Sequence, residues 1–298
     1  MRNIVLASVC ALLFASQPAM AKKPPLRLAP NSQWILDYAK DSCRLVRKFG
    51  EADQESLLSL ERFGPTDQFS LWLLGKPIRQ SSEGFKLTVR FGPNEAEQYP
   101  DYYMGKGSNG KPSLVFTSAL RIAAFPKKDT ASPDYEKWRQ RLLITEEQEK
   151  AVTEFIISKS GARDIVFELG SMGEPFAAMR KCTMNLVAGW GLDPEEQAKL
   201  ARRPSPITSP GKWIDSNDYP YLKLMIGERA IVHFRLNVSA NGEVTDCHIQ
   251  NGIGDKVFQD TVCREMKKHA HFEPALNEKL EPVQSYYQNT VRFNIPPR

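Results

Sequence analysis

The chain has 298 residues, 40 Lys and Arg against 35 Asp and Glu, and a formal net charge of +5. So mild a positive balance, with no basic run carrying interleaved aromatics, gives no footprint for nucleic acid. Beyond the first 21 residues no stretch approaches the roughly 20 apolar residues of a membrane-spanning helix, and the length exceeds the ~150 residues usual for one domain, which argues for two.

At the start, Arg2 precedes an apolar run from Ile4 to Ala15, and Ala19-Met20-Ala21 supplies the small-x-small pattern that signal peptidase cuts. Residues 1–21 therefore read as an export signal, and the mature protein is expected in the periplasm. Membrane contact is expected only if this segment stays uncleaved. Removing it leaves four cysteines, Cys43, Cys182, Cys247 and Cys263. An even number in an exported chain points to disulfides, with three possible pairings.

Residues 22–203 read as a β-rich domain that ends in helices. "CRLVRKFG", "SLLSLERFG", "FSLWLLG" and "FKLTVRFG" are short runs closed by glycine at roughly hairpin spacing. "SLVFTSALRI" and "DIVFELG" add later strands. Helices are expected over "TEEQEKAVTEFIISK" (145–159), "EPFAAMRKCTMNLVAGW" (174–190) and "DPEEQAKLARR" (193–203).

Two motifs here fail on context. "GKGSNG" (105–110) fits a dinucleotide-binding string, but a strand-like "SLVF" follows where a helix is required. "LGSMG" lacks the first glycine of a nucleophile elbow, and residues 22–203 contain no histidine to activate Ser171. Glu168 and Glu174 are available carboxylates whose geometry nothing in the sequence fixes. A secreted hydrolase with its site in this half is accordingly a minor alternative, and no catalysis is expected.

"RPSPITSPG" (203–211) reads as an extended proline-rich linker over residues 204–211. It leaves two cysteines on each side, so the simplest pairing is Cys43–Cys182 and Cys247–Cys263. Closing the longer loop would contribute on the order of 5 kcal/mol and the shorter one on the order of 3 kcal/mol.

Residues 212–298 carry the clearest pattern. Asn241-Gly242 between two alternating runs predicts a two-residue type I′ hairpin, with Val238 opposite Thr245, Leu236 opposite Cys247 and Phe234 opposite Ile249. Val232, Phe234, Leu236 and Val238 then share an apolar face with Thr245, Cys247 and Ile249. His233, Arg235, Asn237, Asp246 and His248 occupy the other face. Gly252 and Gly254 end the second strand, and Asp255 caps a helix whose stripe is Phe258, Val262 and Met266. "SYYQNTVRFNI" forms the last strand, with Val291, Phe293 and Ile295 on one side.

In this frame Cys247 points in towards the helix that carries Cys263, within the roughly 7 Å Cα separation a disulfide needs. His233 and His248 point the other way, and His269 and His271 lie at and beyond the helix end. Such ligands do not converge, so neither a metal nor a cofactor is expected.

"DYPYLKLMIGERAIVHFRLNVSANGEVTDCHI", "HFEPAL" and "TVRFNIP" together resemble the C-terminal domain family of TonB, over about residues 213–298. The resemblance implies an α+β fold: a β-β-α-β module with a three-stranded antiparallel sheet in the order 2-1-3 and one covering helix. All-antiparallel pairing, with the helix returning the chain across the sheet, leaves residues 285–295 as an open edge; the alternative is an edge closed by the first domain or by self-association. The resemblance also implies capture of an extended segment of an envelope protein, such as a TonB-dependent outer-membrane receptor, on Gln288, Asn289, Thr290, Val291, Arg292, Phe293 and Asn294. The expected function is a periplasmic adaptor. The alternative is a TonB-type energy transducer that keeps residues 1–21 as its anchor.

Overall fold

The computed structural model describes residues 23–80, 86–107, 110–124 and 143–295. The expected export signal lies outside them.

Among the described residues ten strands build the N-terminal part: β1 (Leu26–Leu28), β2 (Ile35–Tyr38), β3 (Cys43–Phe49), β4 (Ser56–Arg62), β5 (Ser70–Gly75), β6 (Leu87–Arg90), β7 (Tyr102–Lys106), β8 (Pro112–Phe116), β9 (Glu154–Lys159) and β10 (Ile165–Glu168). They form a six-stranded sheet ordered β2-β3-β4-β5-β8-β7 and a four-stranded sheet ordered β1-β10-β9-β6. The first three glycine-closed runs are indeed successive antiparallel neighbours. The fourth is not: β6 crosses to the smaller sheet and pairs with β9. A single buried cluster joins the inner faces of the two sheets. Within it Phe49 meets Phe167 at 5.3 Å and Phe69 meets Phe91 at 5.5 Å, both edge to face.

Helices α1 (Glu146–Ala151), α2 (Gly173–Gly189) and α3 (Pro194–Ala198) complete this part. The helix expected over 145–159 is half strand. Thr145 and Gln148 form a capping box that starts α1, but the run "EFIIS" pairs on both sides with β10 and β6. Two β-branched isoleucines beside Phe155 fit a sheet buried on both edges better than a helix. The helix expected over 193–203 stops at Ala198, and Arg202 already bonds to Leu276. Cys43 of β3 and Cys182 of α2 form one disulfide, with Cα atoms 6.1 Å apart.

The proline-rich stretch is strand at Ser205–Pro206 and closes in a 3-10 turn at Pro210–Lys212, and it is tied to the C-terminal part. β11 (Ser205–Pro206) pairs with β14 (Phe272–Glu273), and the Ile207 N–H donates to the His271 carbonyl.

The C-terminal part follows the expected order: α4 (Tyr221–Met225), β12 (Ala230–Val238), β13 (Val244–Ile253), α5 (Lys256–His269), a small hairpin of β15 (Ala275–Leu276) with β16 (Pro282–Val283), and β17 (Ser285–Phe293). The sheet order is β13-β12-β17, all antiparallel, with β17 at the edge. Phe258, Val262 and Met266 of α5 are buried against Val232, Phe234, Leu236 and Val238 in a second core. Asp255 caps α5 by accepting from the Val257 N–H. Cys247 and Cys263 form the second disulfide, with Cα atoms 5.6 Å apart.

The hairpin tip departs from the expected two-residue loop. Its turn is closed by the Gly242 N–H donating to the Ser239 carbonyl, and of its residues only Gly242 has positive φ, at +83°. This is the longer turn with a glycine in the left-handed position, whereas a type I′ turn would need Asn241 there as well. Val238 consequently faces Val244, while Leu236 and Phe234 keep Cys247 and Ile249 as partners. The irregularity turns Thr245 out to solvent and brings Val244 against the core. A second irregularity follows His233, and the strand runs through Gly252 to Ile253, so only Gly254 breaks it.

Candidate functional site: the edge strand and the face behind it

Edge strand β17 is buried at both ends and more open between them. Phe293 is buried in the second core, with Tyr287 and Val291 packed against it. Asn289, Arg292 and Asn294 are exposed. Among the described residues β17 pairs with β12 alone, so one side of its backbone carries N–H and C=O groups with no strand partner.

The sheet's polar face carries His233, Arg235, Thr290, Arg292 and Asn294, and nothing in the sequence placed another surface against it. It lies against the outer face of the six-stranded sheet. Phe63, just past β4, stacks on the His233 ring with centroids 4.3 Å apart and planes 20° apart. The Phe63 carbonyl accepts from Gln288 Nε2 at 2.6 Å and from Gln250 Nε2 at 2.8 Å. Gln288 Nε2 also donates to Gln250 Oε1 at 2.8 Å. Arg292 donates through Nε to the Thr117 carbonyl, and Tyr103 hydrogen-bonds Asn294. Gly64 allows this approach: a Cβ there would stand 2.2 Å from Gln288 Oε1.

The same face is held a second time at the end of α2. The Arg235 guanidinium lies 4.5 Å over the Trp190 ring, whose centroid is 4.8 Å from that of Tyr286. Gln197 of α3 bonds to Gln284 and Ser285 at the start of β17.

Burial decides the electrostatics of this seam. His233, beside Phe63 and near the Arg292 charge, is pushed down to about 4, principally by desolvation and secondarily by Arg292. Its Nδ1 contacts Thr290 Oγ1 at 2.8 Å. The Glu61 carboxyl is buried on the opposite wall and pushed upward by desolvation. Ser42 Oγ donates to it at 2.6 Å and Asn251 Nδ2 at 3.3 Å, which partly offset that shift.

The other sequence candidates sit apart. Cys247 and Cys263 link β13 to α5, and Cys43 and Cys182 link β3 to α2, so none of them is at the edge. His248 pairs with Asp246 at 2.8 Å and His269 with Glu265 at 3.5 Å. Glu168 pairs with Arg27, Glu174 lies in the first turn of α2, and the Ser171 hydroxyl donates to the Lys150 carbonyl. Gly105 and Lys106 end β7, and strand β8 begins at Pro112, where a dinucleotide site would need a helix. Sequence reasoning missed Glu61, Phe63 and Gly64 altogether. The one available signal was "ERFG" (61–64), a strand end carrying a charged and an aromatic residue.

Among the described residues the C-terminal half is a β-β-α-β module whose last strand pairs on one side only. Residues 215–295 match the family model described as Gram-negative bacterial TonB protein C-terminal. No curated protein and no solved structure matches the chain. The match covers the C-terminal module, and the N-terminal sheets lie outside it.

Proposed function

We propose that this protein is a periplasmic envelope adaptor that captures an extended segment of an outer-membrane or other envelope protein on β17, acting by binding and not by catalysis. The observation that carries the reading is the edge itself. Among the described residues β17 has one backbone side without a strand partner, while Gln288, Arg292 and Asn294 are fixed from behind by Phe63, Thr117 and Tyr103. A strand held in place this way loses little further conformational freedom when it pairs, which favours strand addition.

The test uses a photoreactive amino acid placed in the full chain, in Gram-negative cells, at exposed Asn289, at exposed Asn294, or at Lys268 on α5 as a control. Edge positions are expected to give one envelope protein cross-linked through one contiguous segment. Val291→Pro, in protein that still folds, should abolish that product. Equal products from Lys268, or none from the edge, would refute the reading.

A further inference from the structure

The contact around His233 does not fill the space between the two sheets. On one side lies a cavity of about 290 Å³, close to the roughly 300 Å³ lower bound for small-molecule sites. Its floor is the outer face of the six-stranded sheet, where Trp72 stands opposite Val115 of β8, and Ser70, Glu61 and Arg44 form the neighbouring cross-strand row over β5, β4 and β3. Its roof is Ile231, His233 and Asn251 of the C-terminal sheet. A second cavity of about 190 Å³ shares Glu61, Ser70 and His233 as a common wall and runs towards β17.

We propose that the larger cavity is a binding site for a neutral saccharide of one or two rings, stacked on Trp72. Three observations converge on that chemistry. First, the walls combine one aromatic platform with aliphatic neighbours, which suits a ring with an apolar C–H face. Second, the polar groups are planar and mixed. Arg44 brings donors, Glu61 an acceptor, Asn251 both, and His233 a ring nitrogen, and such a set matches hydroxyl and amide edges. Arg44 Nε is buried without a hydrogen-bond partner among the described residues, its carboxylate neighbours standing 3.4 Å (Asp37) and 3.5 Å (Glu61) away. Third, Arg44, the arginine among the lining residues, lies between these two acidic groups, so the site holds no uncompensated positive charge for an anionic ligand. Capture of a strand on β17 is a separate activity, and neither reading needs the other.

The experiment is titration of the full chain with N-acetylglucosamine, its β-1,4-linked dimer and maltose, followed by calorimetry and by the indole resonances. Saturable binding of at least one of the three, with the Trp72 indole shifted, is expected. Trp72→Ala should weaken it by at least about tenfold. Because truncating Trp72 could also loosen the fold, Ile253→Trp serves as the second variant. Ile253 is 49% exposed at the cavity mouth, so the larger ring can enter and fill the space without removing a packed side chain. It should block binding while leaving the melting temperature unchanged. No saturation by any of the three sugars at about 10 mM overturns the proposal. So does binding that persists in both variants.

Discussion

The seam between the sheets should respond to acid through one residue. His233 has an ordinary value of 6.5 and is pushed down to about 4 in the folded chain. The folded state therefore binds fewer protons than the unfolded state between these values. Stability from this group is fully present above pH 6.5 and is lost as pH falls towards 4. A shift of that size gives about 2.5 kcal/mol between pH 7.5 and pH 4.5, and the residual exposure of the ring reduces it to between about 1 and 2.5 kcal/mol. Glu61 acts in the opposite sense: its raised value favours the folded state as pH falls, above the ordinary carboxylate range. Wild-type stability alone would mix the two. The difference between wild type and His233→Gln isolates the histidine, because the amide does not titrate and Glu61 is common to both chains. Urea unfolding at pH 7.5, 6 and 4.5 should show that difference shrinking by the stated amount. The ring proton of His233, followed by NMR, should titrate near pH 4. A constant difference within about 0.5 kcal/mol, or a midpoint near 6.5, would refute the argument.

Phe63→Ala opens the seam to water, and the His233 midpoint should then rise from about 4 towards 6.5 in the same NMR titration. Gly242→Ala should destabilise the C-terminal core by about 2–4 kcal/mol in urea. The new Cβ would sit at φ +83° and 1.9 Å from the Phe272 carbonyl oxygen, which belongs to the backbone and cannot swing away. Cys247→Ser with Cys263→Ser removes a loop closure of 16 residues and should cost on the order of 3 kcal/mol, measured by urea midpoint with and without reductant.

The C-terminal module was legible because its signals are local and mutually consistent. Alternation fixed the faces of β12 and β13, the stripe Phe258–Val262–Met266 fixed the helix, and together they put Cys247 opposite Cys263. What the sequence hid was non-local. His233, Arg235, Gln250 and Gln288 are polar, and a polar sheet face looks like a wet one until another surface is brought against it. Nothing near residue 63 announces that a phenylalanine there will stack on a histidine 170 positions later. The helix misplaced over 152–159 has a similar cause: "TEEQEKA" is helical by capping and composition, and the following "EFIIS" is decided by strands drawn from residues 87–90 and 165–168. The hairpin tip failed on chemistry shared by two turn types, since Asn-Gly serves both and only the register tells them apart.

The pairing of β11 with β14 has a mechanical consequence. The crossing chain is stitched to the residues just after α5, and Phe272 there also bonds back to Gly242 at the hairpin tip. A tug on any strand added to β17 would thus meet no coiled slack between the two cores. It would load the β11–β14 stitches, the α2 end at Trp190 and the Phe63 seam together, and the N-terminal sheets would feel a displacement of the edge as it happens.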